Sequence, residues 1–349
     1  MKKKLKLKSY ILIGLLPLLQ TSCMLKSESQ VKSEELLSEI QNPNLKSINR
    51  ETFINLAEYS RKQVVTDSEG EVNPIAWSMI NQSCQNRALG LEFTIHTAGP
   101  EIENRSPEIW ENYQNRDDVS VPDAIKEEKN RIEQEVQKKP IFESGSINVA
   151  GPLATNQTLF DSQKNQISKE PIFFYWPYHH GVIMNVDEEY KVMDLSVGDE
   201  PIAVNDWLQS FLPEGMNCPQ VSQNTYDLIW NYWNTTFQFG KPFVELPEGT
   251  PYCGYTLSER FRFDWKMDKE LLVSQLHLFP FTMNVQTKGF QTILRQAGYD
   301  LKLKDAATIT STYEGSSLKG LCERNGHRLN FCTYLKEAGL TEGNVSIKE

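Results

Sequence analysis

Positive charge is scarce in this sequence, and no stretch interleaves basic with aromatic residues. The 349 residues include 36 Lys and Arg against 46 Asp and Glu, a formal net charge of −10. Residues 1–22 carry five of the lysines and no acid, so the chain without them has a net charge of −15. Such a surface repels phosphate backbones and anionic lipid headgroups. We therefore expect no nucleic-acid binding.

Histidine is scarce as well, with five residues in the whole chain. His277 and His327 have no companions at the spacing of metal ligands. We expect neither a metal site nor another cofactor.

A hydrophobic run of spanning length is missing at the N-terminus, where Tyr10–Leu19 is too short to cross a bilayer. This run follows five lysines and precedes Gln20-Thr21-Ser22-Cys23, an order typical of an export signal. Small residues before a cysteine resemble a bacterial lipoprotein cleavage box, which implies lipidation of Cys23. Gln20 departs from the usual aliphatic residue, so ordinary secretion is the alternative. We expect an exported protein of the bacterial cell envelope, held at the membrane through its lipid alone, or a secreted one.

The remaining composition is that of a globular protein, with 39% hydrophobic and 23% charged residues. The segment that follows the signal is rich in Ser, Glu, Lys and Asn, which predicts a tether or pro-like segment. Two similar stretches, 290–298 and 331–339, each end in glycine as a helix cap would, and they predict a helical tail. The expected divisions are a signal at 1–23, a tether at 24–70, a main domain at 71–284 with a charged helical insertion at 101–140, and a helical appendage at 285–349. Aromatic-rich residues 224–233 and 254–263 are expected to be core and strand.

The six cysteines divide into a lipidation site, two expected disulfides and one free thiol, if the protein lies in an oxidising compartment. Cys23 belongs to the signal. The disulfides we expect are Cys218 with Cys253 and Cys322 with Cys332, although spacing alone does not determine connectivity. Cys84 is then left as a free thiol.

Cys84 falls at the predicted start of a helix. Asn81 and Ser83 are N-cap residue types, and an apolar helical face follows through Ala88 and Leu91. The positive end of a helix dipole favours a nucleophilic thiolate. A buried structural thiol is the alternative interpretation.

Residues 172–196 predict a β-hairpin. Apolar residues alternate on either side of Asp187, Glu188 and Glu189, which suit a three-residue loop. Pairing Val186 with Tyr190 places the apolar residues on one face. A slip by one residue, which would pair Val186 with Lys191, is less favourable.

That register predicts a His–Asp pair. His180 shares a face with Val182 and lies diagonal to Asp194, within reach of its carboxylate. A one-residue slip would bring His179 there instead. A carboxylate that orients an imidazole is half of a catalytic arrangement. A structural hydrogen bond at a sheet edge is the alternative.

The order Cys84, His180, Asp194 is that of papain-like and transglutaminase-like folds. Around these residues lie three segments: Cys84-Gln85-Asn86-Arg87-Ala88, Trp176-Pro177-Tyr178-His179-His180-Gly181-Val182-Ile183-Met184, and Val192-Met193-Asp194-Leu195-Ser196. They resemble, in turn, the Cys-x-x-Arg-Ala motif, the Trp…Tyr-His strand and the Asp-Pro-Ser segment of bacterial protein glutaminases (protein-glutamine deamidases). The similarity spans roughly residues 75–280. Two departures are one extra residue between Trp176 and His180, and Leu195 in place of proline.

The resemblance implies an α+β fold with a papain/transglutaminase-like core, in which a thiol-bearing helix packs on an antiparallel sheet. It also implies hydrolysis of protein-bound glutamine to glutamate, with Cys84, His180 and Asp194 as catalytic residues. Trp176 and His179 are then candidates for substrate contact, and the partner is a protein or peptide with an accessible glutamine. A transglutaminase, a cysteine peptidase and a non-enzymatic surface lipoprotein that binds a partner remain alternatives.

Overall fold

A computed structural model of the protein describes residues 40, 42–66, 72–75, 77, 84–97, 126–127, 130, 132–135, 138–213, 215–259, 276, 283, 286–296 and 298–315. The helices and strands with defined bounds are α1 (Arg50–Arg61), β1 (Val64–Thr66), β2 (Val72–Pro74), α2 (Cys84–Thr97), β3 (Gly145–Phe160), β4 (Ile172–Val186), β5 (Glu189–Met193), β6 (Ile202–Ala203), α3 (Val204–Gln209), α4 (Gln223–Phe239), β7 (Gly254–Glu259), α5 (Leu303–Ala307) and β8 (Thr310–Gly315).

An antiparallel sheet organises the described residues. Its strands follow the order β6-β5-β4-β3-β7, and β8 pairs with the second half of β3. Hydrogen bonds also join β1 to β2 in a separate two-stranded ribbon. The predicted combination of an antiparallel sheet with several helices is confirmed.

The two faces of the sheet carry separate apolar clusters. Val182 and Met184 of β4 pack with α1 and α2, whereas Ile183 between them packs with α3 and α4. This alternation follows from the two-residue period of a strand. The helix that begins with Cys84 therefore lies against β4, the strand that carries both candidate histidines.

The β4–β5 hairpin differs from the predicted register by one residue. Val186 pairs with Glu189, not Tyr190, and Asp187 and Glu188 form a two-residue turn. Both turn residues have positive φ, 51° and 68°, as a type I′ turn requires. This turn has no clear local sequence signal, because neither of its two residues is the glycine or asparagine that usually occupies such positions. The predicted three-residue loop is therefore wrong.

Residues 224–233, expected to be strand, belong to the helix α4. Its buried residues Tyr226, Ile229 and Trp233 recur at helical spacing. The Ser222 side chain accepts a hydrogen bond from the Thr225 N–H at the start, and Gly240, with φ +75°, ends the helix. Aromatic content alone suggested a strand, although the spacing favours a helix.

Two segments expected outside the core contribute to it. Phe53 and Leu56 of α1 are fully buried against the α2 side of the sheet, so this part of the predicted tether is core. The tail adds strand β8 to the sheet and is therefore not wholly helical. Residues 286–296 are helical, and Gly298 has φ +95°, which confirms the first Gly-capped pattern. Residues 331–339 lie outside the described residues.

One predicted disulfide is confirmed, between Cys218 and Cys253. It joins the segment before α4 to the start of β7, and Cys84 is a free thiol. Cys23, Cys322, Cys332 and most of the 101–140 insertion lie outside the described residues. None of the described helices has the length and apolar character needed to cross a membrane.

We predict that Glu188→Gly stabilises the protein by about 0.5–1 kcal/mol, because glycine adopts the positive φ of this turn without steric cost. Denaturant unfolding should show a higher midpoint with an unchanged m-value. The exposed loop residue Glu170 is the control, and Glu170→Gly should give no stabilisation. An equal effect of both substitutions would contradict the two-residue turn.

Candidate active site

Cys84 is the first residue of α2 and is partly exposed. Ala88, Leu91 and Ile95, the predicted apolar face of this helix, are buried and hold it against the sheet. The predicted N-cap residues Asn81 and Ser83 lie outside the described residues. The packing of α2 brings the thiol to the middle of β4, where the two histidines lie.

His179 links the thiol to Asp194. Its Nε2 lies 2.7 Å from Asp194 Oδ2, and both side chains are almost completely buried. The Cys84 side chain borders the same cavity as the ring and helps to raise its pKa. Because Nε2 faces the carboxylate, Nδ1 is the nitrogen left for the thiol. The thiol, the imidazole and the carboxylate thus follow one another in the order of a nucleophile, a base and an orienting carboxylate.

His180, predicted as the partner of Asp194, occupies a different position. Its Nδ1 is hydrogen-bonded to Oδ1 of Asn148, which lies directly across from it on β3. The hairpin register explains the error: Val182 pairs with Met193, so the residues near Asp194 are displaced by one from the predicted alignment. The prediction that His180 lies against Asp194 is wrong, and His179 holds that position.

The Asp194 carboxylate accepts three further hydrogen bonds. Trp207 Nε1 donates to Oδ2 at 2.9 Å, the Ser196 N–H donates to Oδ1 at 3.1 Å, and the Ser196 hydroxyl also donates to Oδ1. The Trp207 ring also stacks on His179, with centroids 5.3 Å apart. Sequence analysis missed the role of Trp207, and its lone indole in α3 gave no signal for it.

The loop after Asp194 is tied to both ends of the described chain. Arg61 of α1 donates to the Leu195 carbonyl at 2.7 Å and pairs with Asp199. Tyr313 of β8 donates to the Ser196 carbonyl. The orientation of the carboxylate therefore depends on segments that the sequence alone places outside the core.

Trp176, a candidate for substrate contact, supports the histidine. Its ring lies edge-on to His179 at 6.1 Å and to Phe211 at 5.9 Å. A direct contact of Trp176 with substrate remains a prediction.

Electrostatics keeps the His179–Asp194 pair charged. Burial alone would lower the pKa of His179, but the Asp194 charge, its hydrogen bond and the Cys84 contact raise that pKa to about 9. Burial would raise the pKa of Asp194, but His179, Ser196 and Trp207 lower it to about 2. The contribution of His179 to stability is therefore complete below pH 6.5 and lost as the pH rises through about 9. That of Asp194 is complete above pH 3.8 and lost as the pH falls through about 2.

A second polar group lies under α2, beside the first. The Ser146 hydroxyl donates to the buried Glu92 carboxylate, and Asn148 binds His180. The side chains of Glu92, Asn148 and His180 line one small cavity. Sequence analysis missed this group, since strand pairing alone brings Ser146 and Asn148 beneath the helix.

A cavity of about 10 Å³, close to the volume of one water molecule, lies at the thiol. Its walls include Cys84, Arg87, Trp77, His179 and Asp194. No group of three His, Cys, Asp or Glu side chains placed to bind a metal ion occurs among the residues that the structure describes.

No protein-family model matches the sequence, and no curated protein or solved structure shows significant similarity to it.

We predict that His179 remains an imidazolium at neutral pH and titrates near pH 9. Asp194→Asn removes the negative charge that offsets the effect of burial on the pKa of His179, so this pKa should fall toward 6.5 or lower. Imidazole ¹⁵N NMR across the pH range measures both values, with His180→Gln to assign the second ring. A His179 pKa that is unchanged in Asp194→Asn would contradict the ion pair.

Proposed function

We propose that the protein hydrolyses the side-chain carboxamide of protein-bound glutamine, releasing ammonia and leaving glutamate. The observation that carries this proposal is the line of Cys84, which is partly exposed, and the buried His179–Asp194 pair. A thiol bonded to an imidazole, itself held by a carboxylate, is the arrangement of cysteine nucleophiles that cleave amides. The partner is a protein or peptide with an accessible glutamine.

The corrected histidine strengthens the resemblance to protein glutaminases. The extra residue that separated Trp176 from His180, relative to the motif, is not present between Trp176 and His179. All three motifs then fit without an insertion, although Leu195 still replaces the proline. The thiol helix packed on an antiparallel sheet also supports a papain/transglutaminase-like core.

The geometry supports the following reaction. The Cys84 thiolate attacks the carboxamide carbon and forms a C–S bond, while the C=O electron pair moves to oxygen. The imidazolium of His179 protonates the departing nitrogen as the C–N bond breaks, which releases ammonia and leaves a thioester. His179 then removes a proton from water, which attacks the thioester carbon; the C–S bond breaks, and the Cys84 thiolate is restored beside the His179 imidazolium. Asp194 orients His179 and stabilises its charged form.

The confirmed disulfide supports the export part of the proposal. Disulfides persist in oxidising compartments and are rare in the cytosol. We propose a cell-envelope lipoprotein anchored through Cys23, or a secreted protein.

We predict that the purified protein releases ammonia from casein and raises the mass of its peptides by about 1 Da per glutamine, since NH₂ is replaced by OH. Intact-mass and peptide mapping follow the product, and Cys84→Ser, a far poorer nucleophile, is the inactive control. New chain termini as the main product would favour a peptidase. Amine-linked adducts would favour a transglutaminase, and no change in the substrate would favour a binding protein.

We predict that His179→Ala lowers kcat by at least 10²–10⁴-fold, the range of general acid–base catalysis. His180→Ala is the matched control: His180 bonds Asn148 rather than Asp194, so the loss should be much smaller. Steady-state ammonia release, with circular dichroism to confirm folding, compares the two variants. A greater loss in His180→Ala would contradict the assignment of His179.

A further inference from the structure

Two buried hydrogen-bond donors in the thiol cavity have no partner in the described part of the chain. They are Nη1 of Arg87 and Nε1 of Trp77. Arg87 is 4% exposed and Trp77 is 6% exposed. A buried donor without an acceptor is rare in native proteins and destabilises the fold, more strongly when the donor is charged.

Arg87 is the more unusual of the two because it carries a full positive charge. The Asp194 carboxylate at the same cavity is already occupied by His179, Ser196 and Trp207. A buried guanidinium is costly unless its donors and its charge are met, and Nη1 of Arg87 has no acceptor among the described residues. Such a cost points to function, since strain and unsatisfied groups accumulate at sites that bind ligands.

The position of Arg87 relative to the thiol is defined by the helix. Residues three apart lie on the same side of a helix, so Arg87 and Cys84 both face the cavity that His179 borders. Both unpartnered atoms in this cavity are donors. The complementary ligand is therefore an oxygen acceptor, and most favourably one that carries negative charge.

We propose that Arg87 binds the acyl oxygen of the substrate, with the Trp77 indole N–H as a second donor. This inference rests on the proposed function and adds to it the groups that stabilise the tetrahedral intermediate. When the Cys84 sulfur bonds to the carboxamide carbon, the C=O π electrons become a lone pair on oxygen, and that charge develops beside the guanidinium. When the C–N bond breaks, the pair returns to the C=O bond and the nitrogen leaves with the proton of His179.

The arrangement also balances the charge of the cavity. A Cys84 thiolate, the His179 imidazolium and the Asp194 carboxylate together carry one net negative charge, which Arg87 neutralises. As the tetrahedral intermediate forms, the negative charge of the thiolate moves to the oxygen, where the two unpartnered donors bind it. Donors of this kind act more strongly in a site of low dielectric than in water.

We expect Arg87→Met to lower kcat by about 10²–10³-fold, as removal of one oxyanion donor does, while the midpoint of thermal unfolding stays equal or rises. If Arg87 served only to stabilise the fold, Arg87→Met would instead lower the midpoint of thermal unfolding. Arg87→Lys keeps the charge without the planar fork and should recover part of the rate. The exposed Arg295→Met is the matched control and should change neither property.

Alkylation of Cys84 tests the same inference without any substrate. Iodoacetate is anionic and iodoacetamide is neutral, so a guanidinium at the thiol should favour iodoacetate. We expect the ratio of the two rate constants to fall at least about tenfold in Arg87→Met and to be retained in Arg87→Lys. If the wild-type protein releases no ammonia, the proposed function fails, yet this ratio still measures the role of Arg87. A ratio unchanged in Arg87→Met, or a loss of stability in that variant, would overturn the inference.

Discussion

The ion pair between His179 and Asp194 is the interaction on which the rest of the site depends. Both groups are buried, and burial disfavours the charge on each, so neither would keep it without the other. The pair is stable because its remaining hydrogen-bonding capacity is met, by Trp207 and Ser196 on one side and the thiol on the other. Truncation of one partner would leave an uncompensated buried charge, which makes this a constraint on folding as well as on chemistry.

Distant parts of the chain converge on that pair. Arg61 in α1 and Tyr313 in β8 bind the two backbone carbonyls that follow Asp194. A carboxylate that must orient an imidazole within a narrow range needs a rigid surrounding layer, since small displacements reduce catalysis strongly. The long β3 strand connects both parts of this layer, because it pairs with β4 along most of its length and with β8 through its last six residues.

Much of the architecture could be predicted from local patterns, and the failures share a physical cause. The helix from Cys84 and the β4–β5 hairpin both have strong local signals. The prediction of the hairpin register was wrong because Asp187 and Glu188 adopt positive φ although neither is glycine. A shift of the register by one residue moves every side chain of a strand to the opposite face of the sheet. The pairing of β8 with the sheet was not predicted, because pairing between segments some 150 residues apart has no effect on local composition.

The available chemistry could be predicted from the sequence: a thiol at a helix start, two adjacent histidines and an aspartate at the end of the following strand. These features depend on residue types and short-range periodicity, which act within a few residues of chain. The fold was needed to show which histidine meets the aspartate, and that Arg87 is buried beside the thiol with a nitrogen that has no partner among the described residues. The reason is that neighbouring histidines on a strand point to opposite faces, so their roles depend on a turn conformation and on helix packing that no local pattern encodes.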